Sequence, residues 1–213
     1  MEIADMPNVS KARYANIFAT PLLTCVLEDG PELNALLRKR ILVHESESPG
    51  TAKSNQGGWH SETGHLEFCG DAGRRLIDHM YALADEATQC VAAEYRKKIG
   101  PMQWTLGAWV NVNRAGDFNK MHVHPASTWS GTYYVDTGDP VGTDGTTPLH
   151  VFDPCPARAT MFLPSLVPDS IFINPQPGLM VLFPSYLLHM VFPHNGSSAR
   201  ISIAFNLRKE PYP

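Results

Sequence analysis

The sequence is short of charge. Only 18% of its 213 residues are Asp, Glu, Lys or Arg, and the net charge is −4; an ordinary soluble domain carries roughly a quarter. Basic clustering is absent too. The densest run is Arg96-Lys97-Lys98, which suits the exposed end of a helix, so no nucleic-acid partner is expected. No apolar run reaches the roughly 20 residues of a membrane-spanning helix, so no membrane partner is expected either. Cysteine is sparse: Cys25, Cys69, Cys90 and Cys155 are scattered with no CxxC pair. The opening stretch, MEIADMPNVS, has neither the basic segment nor the apolar segment of a secretory leader. Free thiols in a reducing, cytoplasmic setting are therefore expected. Repeats and low-complexity tracts are missing as well.

What is present divides near residue 101. Residues 1–101 read as helical and irregular. Residues 13–27 alternate as a strand or two, broken at Thr20-Pro21. A helix is expected over 32–43, where Leu33, Leu36, Leu37 and Ile41 form one stripe after Gly30-Pro31. Residues 45–58 form a polar, glycine-rich loop, long enough to suggest a lid or a disordered segment. Trp59 and His60 follow it at once; the Trp either lines a site or packs in the core. A second helix is expected over 71–99, with Leu76, Met80, Leu83, Ala87, Val91 and Tyr95 on its apolar face. Asp71 would cap it and Gly100-Pro101 would stop it. From Met102 onward, short aromatic and β-branched runs are split by Gly, Pro, Asn and Asp. They fall at 104–113, 129–136, 149–152, 170–173, 179–183 and 200–207. Short strands at that spacing make a sandwich, barrel or jelly roll. With no flexible linker near 101, residues 1–213 read as a single domain, mainly β with N-terminal helices. In it, 1–101 supports a β core over 102–213.

The chemistry centres on residues 111–131, NVNRAGDFNKMHVHPASTWSG. Residues i and i+2 of a strand face one side, so His122 and His124 could present two neutral imidazoles to one metal ion. His189 lies in an apolar stretch with Leu187, Leu188, Met190 and Val191, where a histidine is usually a satisfied core residue. Beyond it, Arg200 and Ser202 share one face of a strand whose other face is Ile201, Ile203 and Phe205. A buried guanidinium is costly unless something anionic balances it. A carboxylate matches its planar fork and also accepts from a Ser hydroxyl.

The joint pattern resembles the Fe(II)/2-oxoglutarate-dependent dioxygenases, whose fold is the double-stranded β-helix, a cupin-like jelly roll. The motifs are H-x-H at 122–124, His189, and R-x-S at 200–202, with ten residues between His189 and Arg200. The lead-in Asn111-x-Asn113-x-x-Gly116-x5-His122 is similar to that of prolyl-hydroxylase-like and nucleic-acid-demethylase members. Ser130-Gly131-Thr132-Tyr133-Tyr134 and Phe183-Pro184-Ser185…His189 look closer still to a subfamily of phage and marine bacteria. The resemblance spans about 104–207. Before it, only Ser54-Asn55…Gly58-Trp59 matches, and loosely. It implies an oxidoreductase with Fe(II) on His122, His124 and His189. It implies 2-oxoglutarate chelating that metal and reaching Arg200 and Ser202 with its far carboxylate, and O2 consumed in hydroxylating a C–H bond. Asn111, Asn113 and Tyr134 either hold the co-substrate or are structural hydrogen bonders. Trp59 and His60 are candidate substrate contacts. The substrate, peptide or small molecule, is not specified, and a homodimer is an open expectation.

One departure stands out. The superfamily places a carboxylate two residues after the first His, and this chain has His124 there. Asp117 and Asp136 are the nearby acids, and neither has the i+2 spacing. Two other readings therefore stay open. Gly116-x5-His122-x-His124 with Gly178-x5-Pro184…His189 also resembles the two cupin motifs. The usual cupin Glu is absent, because Ser127, Thr128 and Trp129 occupy its zone. Cupins include three-His metalloenzymes that use no 2-oxoglutarate. A non-catalytic β-helix module that only holds a ligand is the other reading.

Overall fold

The computed structural model describes residues 18–139, 147–162 and 164–210. Eleven strands make up its two sheets: β1 (Leu23–Val26), β2 (Asn55–Gln56), β3 (Trp59–His60), β4 (Trp104–Asn113), β5 (Phe118–His122), β6 (Trp129–Asp136), β7 (Leu149–Phe152), β8 (Ser170–Ile173), β9 (Leu179–Pro184), β10 (His189–Val191) and β11 (Arg200–Lys209). The larger sheet has the order β1-β9-β6-β11-β4-β3, the smaller β2-β5-β10-β7-β8. All pairings are antiparallel. Two α-helices, α1 (Gly30–Glu47) and α2 (Gly70–Glu94), a 3-10 turn at Glu67–Cys69 and a π-helical turn at Arg158–Phe162 complete the fold. No helix among the described residues is long and apolar enough to cross a membrane.

Two apolar layers follow from the period-2 alternation of the large sheet. Ile201, Ile203 and Phe205 of β11, Leu106, Ala108 and Val110 of β4, and Met180 and Leu182 of β9 join the core shared with the helices. The alternate residues of β9, Leu179, Val181 and Phe183, meet Leu149 and Val151 of β7 in a second cluster. β9 is thus covered by apolar side chains on both faces, which is why it reads as a continuous apolar run.

Helix α1 begins with a Pro in its first turn and buries Leu33, Leu37 and Ile41, a row at i, i+4 and i+8. It runs past 43 to Glu47, so the loop expected over 45–58 is shorter and is broken by β2. Helix α2 buries Leu76, Met80, Ala84 and Ala87, and it stops at Glu94, not Ile99. The turn away from it comes at Arg96, whose φ is +54°. Asp71 makes no capping bond there; its carboxylate pairs with Arg74 instead. Tyr95, expected on the apolar face, is exposed. Residues 13–17 of the first expected strand region lie outside the described residues, and within the remainder only Leu23–Val26 is a strand.

Candidate metal centre and anion cradle

Two candidate metal ligands arrive as a cross-strand pair. His189 of β10 is the register partner of His122 of β5, and their ring centroids lie 4.4 Å apart. His124 is not on the strand, as expected from the spacing, but two residues past its end. The chain is held there by its own backbone N–H, which donates to the Ser185 carbonyl at 3.0 Å. This irregular stretch still brings the third ring to 4.8 Å from His122 and 5.1 Å from His189. The nearest ligand nitrogens of all three lie within 4.8 Å of one another. Among the described residues this is the only group of His, Cys, Asp or Glu arranged so.

Backbone carbonyls orient two of the rings. His122 Nδ1 lies 2.6 Å from the Lys120 carbonyl, and His189 Nδ1 lies 2.8 Å from that of Leu187. A carbonyl can only accept, so each Nδ1 carries the proton and each Nε2 keeps its lone pair. Burial holds the imidazoles neutral. It lowers His122, takes His189 down to about 4 with help from His122, and takes His124 down to about 3, where His189 and His122 add repulsion. Three neutral nitrogen donors on one point suit Fe, Zn, Ni or Cu. No carboxylate joins them. Asp136 is engaged by Arg38 at 2.8 Å, and Asp117 accepts from the Arg114 backbone N–H at 2.7 Å.

The floor of the same cavity comes from the large sheet. Register pairs Arg200 with Asn113 and Ser202 with Asn111 across β11 and β4, and pairs Ser202 with Tyr134 across β11 and β6. Arg200 is 2% exposed. Its Nη1 donates to Ser202 Oγ at 3.2 Å, and its guanidinium carbon lies 5.2 Å from the centroid of the Tyr134 ring. Arg200 Nε, the Tyr134 hydroxyl and Asn113 Oδ1 are buried with no hydrogen-bond partner. Asn111 Oδ1 accepts from Asn119 Nδ2 at 3.5 Å. Arg200, Ser202, Tyr134, Asn111 and the three histidines all line one cavity, and no acid does. A dry guanidinium with an unused donor beside an unused hydroxyl is a cradle for an anion.

The sequence candidates Trp59 and His60 separate. β3 pairs with β4 so that Trp59 lies opposite Val112 and His60 opposite Asn111. Trp59 therefore joins the helix-side core, with its indole N–H on the Ser48 carbonyl at 2.9 Å; it is a packing residue and does not line the cavity. His60 stacks on Trp109 with ring centroids 5.7 Å apart and lines a second cavity that adjoins His122 and His124. Its pKa is lowered, chiefly by burial, with the Lys53 charge adding to it. Sequence reasoning missed Trp109, Lys53, Lys120 and Asn119. Trp109 had a signal: it shares the face of Asn111 and Asn113 at i and i+2. The lysines had none, because only the fold carries Lys53 next to residue 120.

Residues 107–206 match a protein-family model described as "Putative 2OG-Fe(II) oxygenase". Over this segment the chain is similar to the 2OG-Fe(II) oxygenases. The match spans both halves of the site, from Trp109 to Ser202. The family's members are oxidoreductases that take Fe(II) and 2-oxoglutarate, and the three-imidazole site and the Arg200 cradle fit both. A search of curated proteins finds no match. Solved structures give the fold. A prolyl-4-hydroxylase from Pseudomonas putida aligns with a TM-score of 0.59 at 15% identity, over 90% of this chain and 94% of that one. AviO1 from Streptomyces viridochromogenes aligns with a TM-score of 0.60 at 13% identity, over 91% and 93%. A viral collagen prolyl hydroxylase from Paramecium Bursaria Chlorella virus-1, solved with 2-oxoglutarate, aligns with a TM-score of 0.55 at 13% identity, over 94% and 98%. The fold is thus a double-stranded β-helix.

Proposed function

We propose that the chain is a 2-oxoglutarate-dependent oxygenase that hydroxylates a C–H bond with its metal held by His122, His124 and His189. The observation that carries this reading is Arg200, a buried cation with an unused N–H, in one cavity with three histidines and no acid. Fe(II) with 2-oxoglutarate and O2 supplies oxidising power that no side chain possesses. The chain's own residues bind and orient. The Nδ1 bonds to Lys120 and Leu187 aim two Nε2 atoms at the metal position. Arg200 and Ser202 take the far carboxylate of the keto acid, Arg200 through its fork and Ser202 through its hydroxyl. Tyr134 donates its phenolic proton toward the same group, since burial keeps that phenol protonated. Asn111 flanks the keto acid from β4, while Asn113, the register partner of Arg200, does not line the cavity. Phe183, Leu149 and Val191 wall the cavity against water. His60 stands on the substrate side.

The chain departs from the family's acid at position 124. Three neutral donors leave the metal's charge uncompensated by the protein, which strengthens attraction for the keto acid. The cupin-type reading without 2-oxoglutarate draws support from this departure, but it leaves Arg200 without an anion.

The test is a pair of anaerobic titrations of 2-oxoglutarate into Fe(II)-loaded wild type and Arg200→Met, following the metal-to-keto-acid absorption band. Removing one partner of a buried charged pair costs about 2–5 kcal/mol, so Arg200→Met weakens 2-oxoglutarate at least about thirtyfold. Metal affinity stays unchanged. Arg200→Lys falls between, keeping charge and losing the fork. A wild type without a band, or a Met variant that binds equally well, overturns the proposal.

A further inference from the structure

The cavity beside the metal position holds two cations and no acid. It has a volume of about 530 Å³, and Lys53 and Lys120 line it together with Trp109, His60, His122 and His124. The chain as a whole has 21 acidic and 17 basic residues, so a lining without Asp or Glu does not follow from composition. Neither lysine forms an ion pair with any described residue, whereas Arg208, further along the same side, is matched by Glu210 at 3.4 Å. Lys53 and Lys120 are the two lysine or arginine side chains of this lining.

Local structure fixes both lysines at the mouth. Lys120 lies two residues before His122 on β5, its backbone N–H donates to Ser54 at 2.9 Å, and its carbonyl receives His122 Nδ1. Lys53 precedes Ser54, and its backbone N–H donates to Asn55 Oδ1 at 2.7 Å. The 53–55 segment is thereby tied to the strand that carries the first candidate metal ligand. The same cavity has a flat wall, the Trp109 indole with the His60 ring stacked at an interplanar angle of 12°.

We infer that the prime substrate is an anion with a flat or apolar body, its carboxylate or phosphate held by Lys53 and Lys120 and its body laid against Trp109. This rests on the oxygenase reading above, because the cavity is a substrate site only if the three histidines hold a reactive metal. Two mobile ammonium groups on flexible stems act as point charges and accept either anion. Trp109 then sets how far the body reaches toward His124, whose ring centroid lies 5.5 Å from that of the indole.

The experiment uses Fe(II)- and 2-oxoglutarate-saturated protein under nitrogen, so that Arg200 is already occupied and no turnover occurs. Three probes are titrated calorimetrically: 2-naphthoate, 2-naphthyl phosphate and the neutral 2-naphthamide. Expected is binding of at least one anion about tenfold or more tighter than the amide. That preference should fall about fivefold in Lys53→Met and in Lys120→Met, the scale of an exposed charge contact, and vanish in the double variant. Both lysine side chains are exposed, so the variants fold, and their keto-acid band should match that of the wild type. The two anions distinguish a carboxylate site from a phosphate site. Equal binding of the amide, no binding of any probe, or an anion preference that survives in the double variant overturns the inference while the keto-acid band still stands. Absence of that band overturns the oxygenase reading, and this inference with it.

Discussion

A histidine that ligates and a histidine that packs differ in what is left over on the ring. His189 is 6% exposed and its Nδ1 is used, yet it still offers a ligand nitrogen within 4.8 Å of those of His122 and His124. His122→Ala, His124→Ala and His189→Ala should each remove most bound Fe(II), measured by metal analysis after dialysis, with the circular-dichroism spectrum unchanged. His124→Asp restores the acid at its usual place and should retain Fe(II). The pH dependence follows from the depressed pKa values. An unfolded histidine takes a proton near pH 6.5, whereas His189 resists until about pH 4 and His124 until about pH 3. Between those limits the unfolded chain binds more protons, so stability rises with pH. The melting temperature of the metal-free protein should fall on acidification from pH 7 to pH 4, and less so in His124→Asn. Arg200 and Ser202 were legible because period-2 spacing survives on β11, whereas H-x-H reaches one place although His124 lies two residues past the end of β5. The role of Trp59 was not legible, because adjacent strand residues face opposite ways and only the β3–β4 register decides which of Trp59 and His60 turns inward.

At the scale of elements, the strands with apolar runs of their own were readable and those without were not. β4, β6, β7, β8, β9 and β11 carry apolar or aromatic runs of their own. β2, β3, β5 and β10 have few or polar residues, as in Asn55-Gln56 and Phe118-Asn-Lys-Met-His122, and become strands only by pairing with neighbours. Those pairings place two of the three histidines. The middle of β6 is equally specific. A Cβ on Gly131 would fall on the Phe205 ring and lie 2.5 Å from the Val181 carbonyl oxygen. Gly131→Ala must therefore push β6 away from β9 or β11, a change typically costing about 1–3 kcal/mol. Because β6 also carries Tyr134, this variant should lose 2-oxoglutarate affinity along with stability, read from chemical denaturation and from the keto-acid band.

Across the whole molecule, one sheet serves two tasks on its two faces. Its outer face, with Met180, Ile201 and Phe205, joins the helices in one core, and its inner face holds Arg200, Ser202 and Tyr134. The helices contribute packing and no residue to the two cavities beside the histidines, whereas β1, β2 and β3, all before residue 101, join the sheets. Tyr133 crosses the boundary on the helix side, donating to Asn34 Oδ1 of α1 at 2.7 Å with both residues buried. Tyr133→Phe leaves that acceptor buried and unpaired, at a cost of about 1–3 kcal/mol. Leu37→Ala, in the same layer, opens a cavity costing about 2–5 kcal/mol. Neither change touches the inner face. Both variants should unfold at lower denaturant while their folded fraction binds Fe(II) and 2-oxoglutarate with wild-type affinity. The contrast with Gly131→Ala, which should lose both, measures how far the sheet insulates one face from the other. If Tyr133→Phe or Leu37→Ala weakens the keto-acid band in parallel with stability, the helical layer sets the geometry of the site and does not merely support it.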